Sequence, residues 1–451
     1  MVYTFQKVYT LIAQTPMIHF QYDQTGATLR ATEVKPKLDQ YLLKCAEKEG
    51  VDRKILDSWH IGYDPEDKKR HEKAYKGLHY QMKIEKKERP TDSFISLEDC
   101  KFYFGNQGDG DKKELVFQNA ELQIICFIPA LLKFIDEHIG AFFALHNFGT
   151  RQTKGFGSFR LQNQTDEEIE IAIRNAYPVY FYADMPIFDR KSIKNRMNHA
   201  LTVYSVMKNG LNMTRYNELT DTYRFPDSYI KGYSLRPYFD NHEETNTGSD
   251  KAFIKSYIHE TQGDEKDALD RDYENYTFIR AMLGLAEQYE FRDRYRNNGK
   301  NVNIKTGKES YQPVGITVIH CPKNQDGTPM IEMDQHMEDV KKEAEIQRFA
   351  SPVTIKIYQD RIYFLFDDSY KTMLDQTFLF LSFVKKGRNT IYETLKECLE
   401  KKHYISTPKT FDMKTFVDSF VSYYNEEARE KLKKFTAPYE NSQNLILRKG
   451  W

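Results

Sequence analysis

A chain of 451 residues is long enough for two or three domains, each with its own core. Lysine plus arginine (66) balance aspartate plus glutamate (66), so a surface uniformly coated in basic charge is excluded and any nucleic-acid face must be local. The five cysteines, Cys45, Cys100, Cys126, Cys321 and Cys398, form no CxxC pair, which excludes a zinc ribbon and argues against a disulfide framework.

The first residues lack the layout of a signal peptide, and the longest apolar run, Thr377 to Val384, is far too short to span a bilayer. A reducing cytoplasmic setting is expected.

In chain order, Val2 to Phe20 is β-branched and aromatic and predicts a strand interrupted at Pro16. Leu29 to Cys45 predicts a helix, with Val34, Leu38, Tyr41, Leu42 and Cys45 on one face and Thr32 as its cap. Asp64 to Arg89 is highly charged and reads as loop or ribbon; Gly105 to Lys113 reads as an exposed turn before a strand at Glu114 to Ile128. Pro129 to Phe148 predicts an amphipathic helix, and Phe156 to Gln162 the next strand.

Glu170 to Ala183 opens a strand-rich passage, and Ile187 to Met207 predicts a helix. Glu243 to Asp250 is polar and turn-forming, Tyr257 to Asp293 reads as mostly helical, and Asn297 to Lys308 as a loop. Gln335 to Gln347 predicts a helix, followed by strands at Val353 to Tyr358 and Arg361 to Asp367 across a Gln359-Asp360 turn. From Tyr370 onward the pattern reads as helices with a basic tail. The order implies an α+β chain: two split βαβ units with antiparallel sheets at 1–168 and 169–370, the second with a helical insertion, and a helical segment at 371–451 packed on it.

The densest chemistry lies in Gly149-Thr-Arg-Gln-Thr-Lys-Gly-Phe-Gly-Ser-Phe-Arg160. Gly155 and Gly157 would let backbone N–H groups approach a ligand closely; Arg151, Lys154 and Arg160 could neutralise phosphate; Phe156 or Phe159 could stack on a base. A glycine-rich hairpin turn with solvated charges is the other reading of the same residues. Arg30, Lys35 and Lys37 stand at the start of the first helix, where N-terminal N–H groups favour phosphate, and Arg190, Lys191, Lys194 and Arg196 begin another.

Neither a Walker loop nor a dinucleotide fingerprint is present, so no nucleotide-cofactor site is supported. Metal and nucleophile motifs are missing too: Gly108-Asp-Gly-Asp111, Asp270-Arg-Asp272 and Asp367-Asp368 read as solvated turns or faces, and His19, His138 and His146 share no ligand spacing.

Three stretches together resemble the RAMP superfamily of CRISPR type III effector subunits, and within it the first RAMP subunit of the Cmr (type III-B) complex. Thr15-Pro-Met-Ile-His-Phe with Leu29-Arg-Ala-Thr-Glu-Val-Lys is similar to that family's opening strand and helix entry, although Ala31 and Pro36 replace its usual proline and glycine. His146-Asn-Phe-Gly-Thr-Arg-Gln-Thr-Lys-Gly-Phe-Gly-Ser-Phe is similar to its glycine-rich loop, and Arg348-Phe-Ala-Ser-Pro-Val to its late element before a strand.

The resemblance implies tandem ferredoxin-like, RRM-related folds, with the loop and the basic helix start on guide or target RNA near the guide's 3′ end. It implies partnership with other effector subunits and no RNA-cleaving aspartate. The alternatives are a guide-processing endoribonuclease of the same superfamily using His19 or a nearby tyrosine, another RAMP subunit of a type III complex, and a scaffold that binds only protein.

Overall fold

The computed structural model describes residues 5–18, 28–64, 77–87, 95–96, 114–115, 118–190, 192–209, 215–217, 222–224, 248–249, 276–285, 288–291, 300–302, 309–311, 314–326, 328–331, 335–343, 346, 348–386, 389–392, 394–400, 403–432 and 442–451. It is a mixed α and β fold that separates into two interleaved units. One comprises Met1–Tyr204, Val353–Phe366 and Val421–Trp451; the other comprises Ser205–Pro352 and Asp367–Phe420. Neither 168 nor 370 is a boundary of these units.

The first unit begins with β1 (Gln6–Ala13), α1 (Ala31–Lys48), β2 (Gln81–Lys87), β3 (Asn119–Ile125), α2 (Pro129–Leu145) and β4 (Phe159–Leu161). The strands pair antiparallel in the order β2-β3-β1-β4. Alternation explains the sheet: Ala120, Leu122 and Ile124 of β3 are buried, and the residues between them are less so. In β2, within the charged ribbon, Gln81, Lys83, Glu85 and Lys87 face water while Met82 and Ile84 turn toward the core.

Helix α1 buries Val34, Leu38, Leu42 and Ala46, a stripe at intervals of four. Its N-cap is Arg30, not Thr32, so Pro36 lies inside the helix. Helix α2, apolar on most sides, buries nine residues between the sheet and its neighbours.

A second group of elements in this unit contains α3 (Asp166–Ala176), β5 (Val179–Asp184), α4 (from Ile193), β6 (Val353–Ile357), β7 (Arg361–Phe366) and β8 (Leu447–Lys449). Its sheet runs β6-β7-β5-β8, again antiparallel, with Phe181 and Phe364 stacked at 4.5 Å. Glu170 to Ala176 is helical, correcting the strand expectation. Its Ile-Glu-Ile-Ala-Ile alternation imitates a strand, but Thr165 and Glu168 form a capping box, three acids occupy the first turn, and Ile169, Ala172 and Ile173 are buried at helical spacing.

The second unit is organised around Thr377–Lys386, which pairs antiparallel with Val314–Cys321 over eight positions. This corrects the expectation of helices from Tyr370. Phe378, Leu379, Phe380 and Leu381 are all wholly buried, so this apolar run is a central strand covered on both faces. The sheet also takes in Gln288–Phe291, Asn389–Tyr392 and Tyr404–Ser406. Its edge through Tyr276–Thr277 and Gly248–Ser249 is parallel, a departure from the all-antiparallel expectation.

The described part of Tyr257 to Asp293 is extended or 3-10, not α-helical, and Lys300–Val302, within the expected loop, pairs with Glu309–Tyr311 just after it. The Gly105 to Lys113 turn and most of Glu243 to Asp250 lie outside the described residues.

One buried cation in the first unit ties these elements to the loop between α2 and β4. Lys356 is wholly buried, and its Nζ donates to the carbonyls of Phe143 (2.9 Å) and His146 (2.8 Å) at the C-terminal end of α2. Tyr358 Oη donates to the Ala144 carbonyl at 3.1 Å. Burial holds the Lys356 amine well below the usual lysine range. Replacing Lys356 with methionine orphans two buried carbonyls and should destabilise the unit by about 1–3 kcal/mol. An unchanged denaturant midpoint for Lys356→Met would remove this capping role.

Candidate nucleic-acid interface

The glycine-rich stretch folds as a loop closed by an antiparallel bridge between Asn147 and Ser158, with Phe148 N donating to the Gly157 carbonyl at 3.0 Å. Helix α2 ends at Leu145, His146 leaves it extended, and four residues then take left-handed φ: Gly149 (82°), Arg151 (58°), Gly155 (85°) and Gly157 (70°). A short 3-10 turn, Gln152–Lys154, lies between Arg151 and Gly155.

The segment after β1 pins this loop. Thr15 Oγ1 donates to the Gly155 carbonyl (2.7 Å) and accepts from Ser158 N (2.9 Å). Gly157 N donates to the Pro16 carbonyl (2.8 Å) and Thr150 N to that of Ile18 (2.6 Å). Helix α1 holds the other side: Glu33 Oε1 accepts from Gly149 N at 2.6 Å. Asn147 Nδ2 donates to the carbonyls of Gln152 (2.7 Å) and Ile355 (2.9 Å), joining the loop to β6.

The glycines are used by the protein's own chain. A Cβ on Gly157 would stand 1.9 Å from the Phe148 carbonyl oxygen, one on Gly149 2.4 Å from that of Ile18, and one on Gly155 2.7 Å from Ile357 Cδ1. The close approach read from the sequence therefore occurs at Gly155 and Gly157, but to internal atoms. Phe156 and Phe159 are 1% and 2% exposed, so neither ring offers a face for a base in this conformation. Phe156, between two left-handed glycines, and Phe159, the buried first residue of β4, both anchor the loop in the core.

The cations divide in the same way. Lys35 pairs with Asp39 (2.9 Å), donates to the Leu78 carbonyl and lies 4.0 Å from the Tyr80 ring. Lys37 donates to Gln152 Oε1 (2.8 Å), to the Asn147 carbonyl (3.2 Å) and to Glu33 (3.4 Å); burial lowers its pKa. Lys154 Nζ sits 3.3 Å from the centre of the Tyr204 ring, a cation–π contact, and Arg160 pairs with Asp166 at 2.8 Å.

Among the described residues of the predicted set, Arg151, at the left-handed entry to the 3-10 turn, and Arg30, the N-cap of α1, are exposed. Lys194 is half-buried at the start of α4, Arg196 is buried, Arg190 pairs with Asp360 (2.8 Å), and Lys191 lies outside the described residues.

His19 also lies outside the described residues. His138 pairs with Glu49 at 2.8 Å. His146 packs on Tyr41 and Phe142 with its Nδ1 on the Phe142 carbonyl (2.9 Å), and burial pushes its imidazole down to about 4.

No local pattern announces a buried chain in which His199 contacts Asp189 Oδ2 (2.9 Å) and Ser442 Oγ (3.0 Å). All three residues are 1% exposed, so no substrate reaches the serine. Among the described residues no group of three or more metal-ligating side chains comes together. Asp367 caps the turn after it through Ser369 N, while Gly108 to Asp111 and Asp270 to Asp272 lie outside the described residues. Glu33, Thr15 and Asn147, which hold the loop, were missed because their partners are far away in sequence.

Two outcomes test the loop's construction. Gly157→Ala should destabilise by well over the ~1–2 kcal/mol of a left-handed alanine, because its methyl also meets a carbonyl. Gly50→Ala, also at φ 70° but with nothing within 4 Å, should cost only the conformational part. Equal losses by denaturant titration would refute the clash. For His146 the folded pKa lies below the ordinary 6.5, so the unfolded chain binds more protons between about 4 and 6.5. Stability should therefore fall as pH drops through that window, and more shallowly in His146→Asn; parallel melting curves would exclude this contribution.

Residues 5–211 match the description Cmr1 N-terminal domain, and residues 229–316 and 330–445 match Cmr1 C-terminal domain. No curated protein matched the chain. With a match over most of its length, and with the glycine-rich stretch seated against β1, α1 and β6, the chain belongs to the Cmr1 family, the RAMP-superfamily proteins of type III-B CRISPR systems.

Proposed function

We propose that this chain is a non-catalytic RNA-binding subunit of a type III-B (Cmr) effector complex. In this reading it works in cytoplasmic antiviral defence, on the 3′ part of the guide RNA or the matching end of the target, beside other effector subunits. The observation that carries the reading is a preorganised cationic edge. A loop fixed by internal hydrogen bonds displays Arg151, and Gly149 of that loop is tied to Glu33 in the first turn of α1, whose N-cap is the exposed Arg30. A rigid support lowers the ordering cost of gripping a flexible strand.

Supporting the fold assignment, the first sheet has the β-α-β-β-α-β succession and the β2-β3-β1-β4 order of a ferredoxin-like, RRM-related domain. The sheet β6-β7-β5-β8 would belong to its tandem partner. Lys35 and Lys37 act by bracing α1 against its surroundings, and Lys154, Gly155, Phe156 and Gly157 by shaping the loop; Arg30 and Arg151 meet phosphate, joined by Lys191 and Lys194 of the second cluster. Among the described residues no helix is long and apolar enough to cross a membrane.

Charge removal separates these roles. The double variant Arg30→Gln, Arg151→Gln should weaken binding of single-stranded RNA with little dependence on sequence. It should also flatten the plot of log affinity against log salt by about 0.7 per lost phosphate contact. Lys37→Met should lower thermal stability more than the salt slope. Unaltered affinity and slope in the arginine double variant would defeat the proposal. Incubation with repeat RNA in chelator tests the non-catalytic part: specific cleavage abolished by His19→Ala would overturn it.

A further inference from the structure

Between β5 and α4 the chain turns sharply around two apolar residues. Asp189 N donates to the Pro186 carbonyl at 2.9 Å, closing a turn with Ile187 and Phe188 at its centre. Ile187 is 81% exposed and Phe188 65%. Turn centres favour glycine, asparagine, aspartate and proline, so a large apolar pair held in water there breaks the local rule. The helix expected from Ile187 starts only at Ile193.

The base of this tip is firmly built. Asp189 is 1% exposed; its Oδ1 accepts from Asn195 Nδ2 (2.5 Å) and its Oδ2 meets His199 Nε2 (2.9 Å). Through Ser442 Oγ, 3.0 Å from His199 Nδ1, the same buried chain reaches the segment before β8. Ser192 N donates to the Asp189 carbonyl (3.0 Å) and Met185 N to that of Asp360 (2.8 Å). With α4, the β6–β7 turn and the segment before β8 all fixing its base, the tip keeps its two side chains in water until a ligand covers them.

Cations stand beside it. The Arg190 guanidinium pairs with Asp360 (2.8 Å) and donates from Nε to the Met185 carbonyl (3.2 Å), yet the side chain is still 38% exposed. Half-buried Lys194 lies in the first turn of α4. Asp360 offsets one of these charges, so what the tip adds is a ring rather than a strong phosphate grip. A stable protein interface buries about 1,200–2,000 Å², far more than two side chains supply, whereas one base covers one aromatic ring.

From this arrangement we infer that Phe188 is the stacking platform for one unpaired RNA base. Ile187 packs against the edge of that nucleotide, and Arg190 and Lys194 lie toward its phosphate. The inference rests on the RNA-binding reading above. It supplies the base contact that Phe156 and Phe159, buried in the core, do not make.

The test uses the full chain and two fluorescein-labelled hexamers of equal charge, oligoadenylate and an abasic ribose-phosphate oligomer, with binding read by anisotropy. The wild-type protein should prefer oligoadenylate. Phe188→Leu, which keeps an apolar side chain but removes the ring, should lower that preference on the order of tenfold, the effect of one stacked base. Phe188→Trp should retain it. Because no cation is removed, the salt slope and the abasic affinity of Phe188→Leu should match wild type, and so should its melting temperature, since the ring is exposed. If Phe188→Leu keeps the full preference, the inference fails while RNA binding stands. If it keeps that preference but is lost from the assembled effector complex, the tip is a protein contact and the inference is likewise overturned. If the wild-type chain binds neither hexamer at low salt, both the inference and the RNA-binding reading fail.

Discussion

The arrangement of the cationic edge depends on the hydroxyl of Thr15. It donates to Gly155 and accepts from Ser158, so both sides of the sharpest part of the loop are fixed to the end of β1. Within the same few residues Pro16 accepts from Gly157, and Ile18 from Thr150. Three of the loop's four left-handed residues are glycines and adopt that φ freely, while Arg151 is strained there and persists only where its surroundings over-determine it. Here the surroundings are three elements far apart in sequence: the exit from β1, the first turn of α1, and β6.

That dependence explains why so few of the basic side chains face solvent. Lys37 donates to Asn147 and Gln152 of the loop, Lys35 serves Asp39 and the Leu78 carbonyl behind α1, and Lys154 lies over the Tyr204 ring. Lys356 does the same from below, serving the end of the helix that delivers the loop. The outer charge is then carried by Arg151 and Arg30, held by backbone whose geometry is already set. In the proposed role, a surface of this kind would bind a polyanion with little reorganisation.

Much of this was legible locally. The helical stripes of α1 and α2, the strands β1, β6 and β7, and the special role of the 149–160 stretch follow from periodicity and glycine placement, which depend only on near neighbours. Where local signals conflicted, the reading failed: Ile169 to Ile173 alternates like a strand, yet the Thr165–Glu168 box makes it a helix. Thr377 to Val384 is apolar throughout, and periodicity cannot separate a doubly covered strand from a buried helix.

Taken alone, the sequence determined which residues could form a phosphate-gripping loop, because left-handed glycines and clustered cations are properties of the chain itself. It also carried the family, since the three motif stretches occur in a fixed order. Only the tertiary structure decided what each member of that loop does. Whether Phe156 meets a base or the core, whether Gly157 admits a ligand or the Phe148 carbonyl, and whether Lys37 is free or braced are questions of what arrives from distant segments.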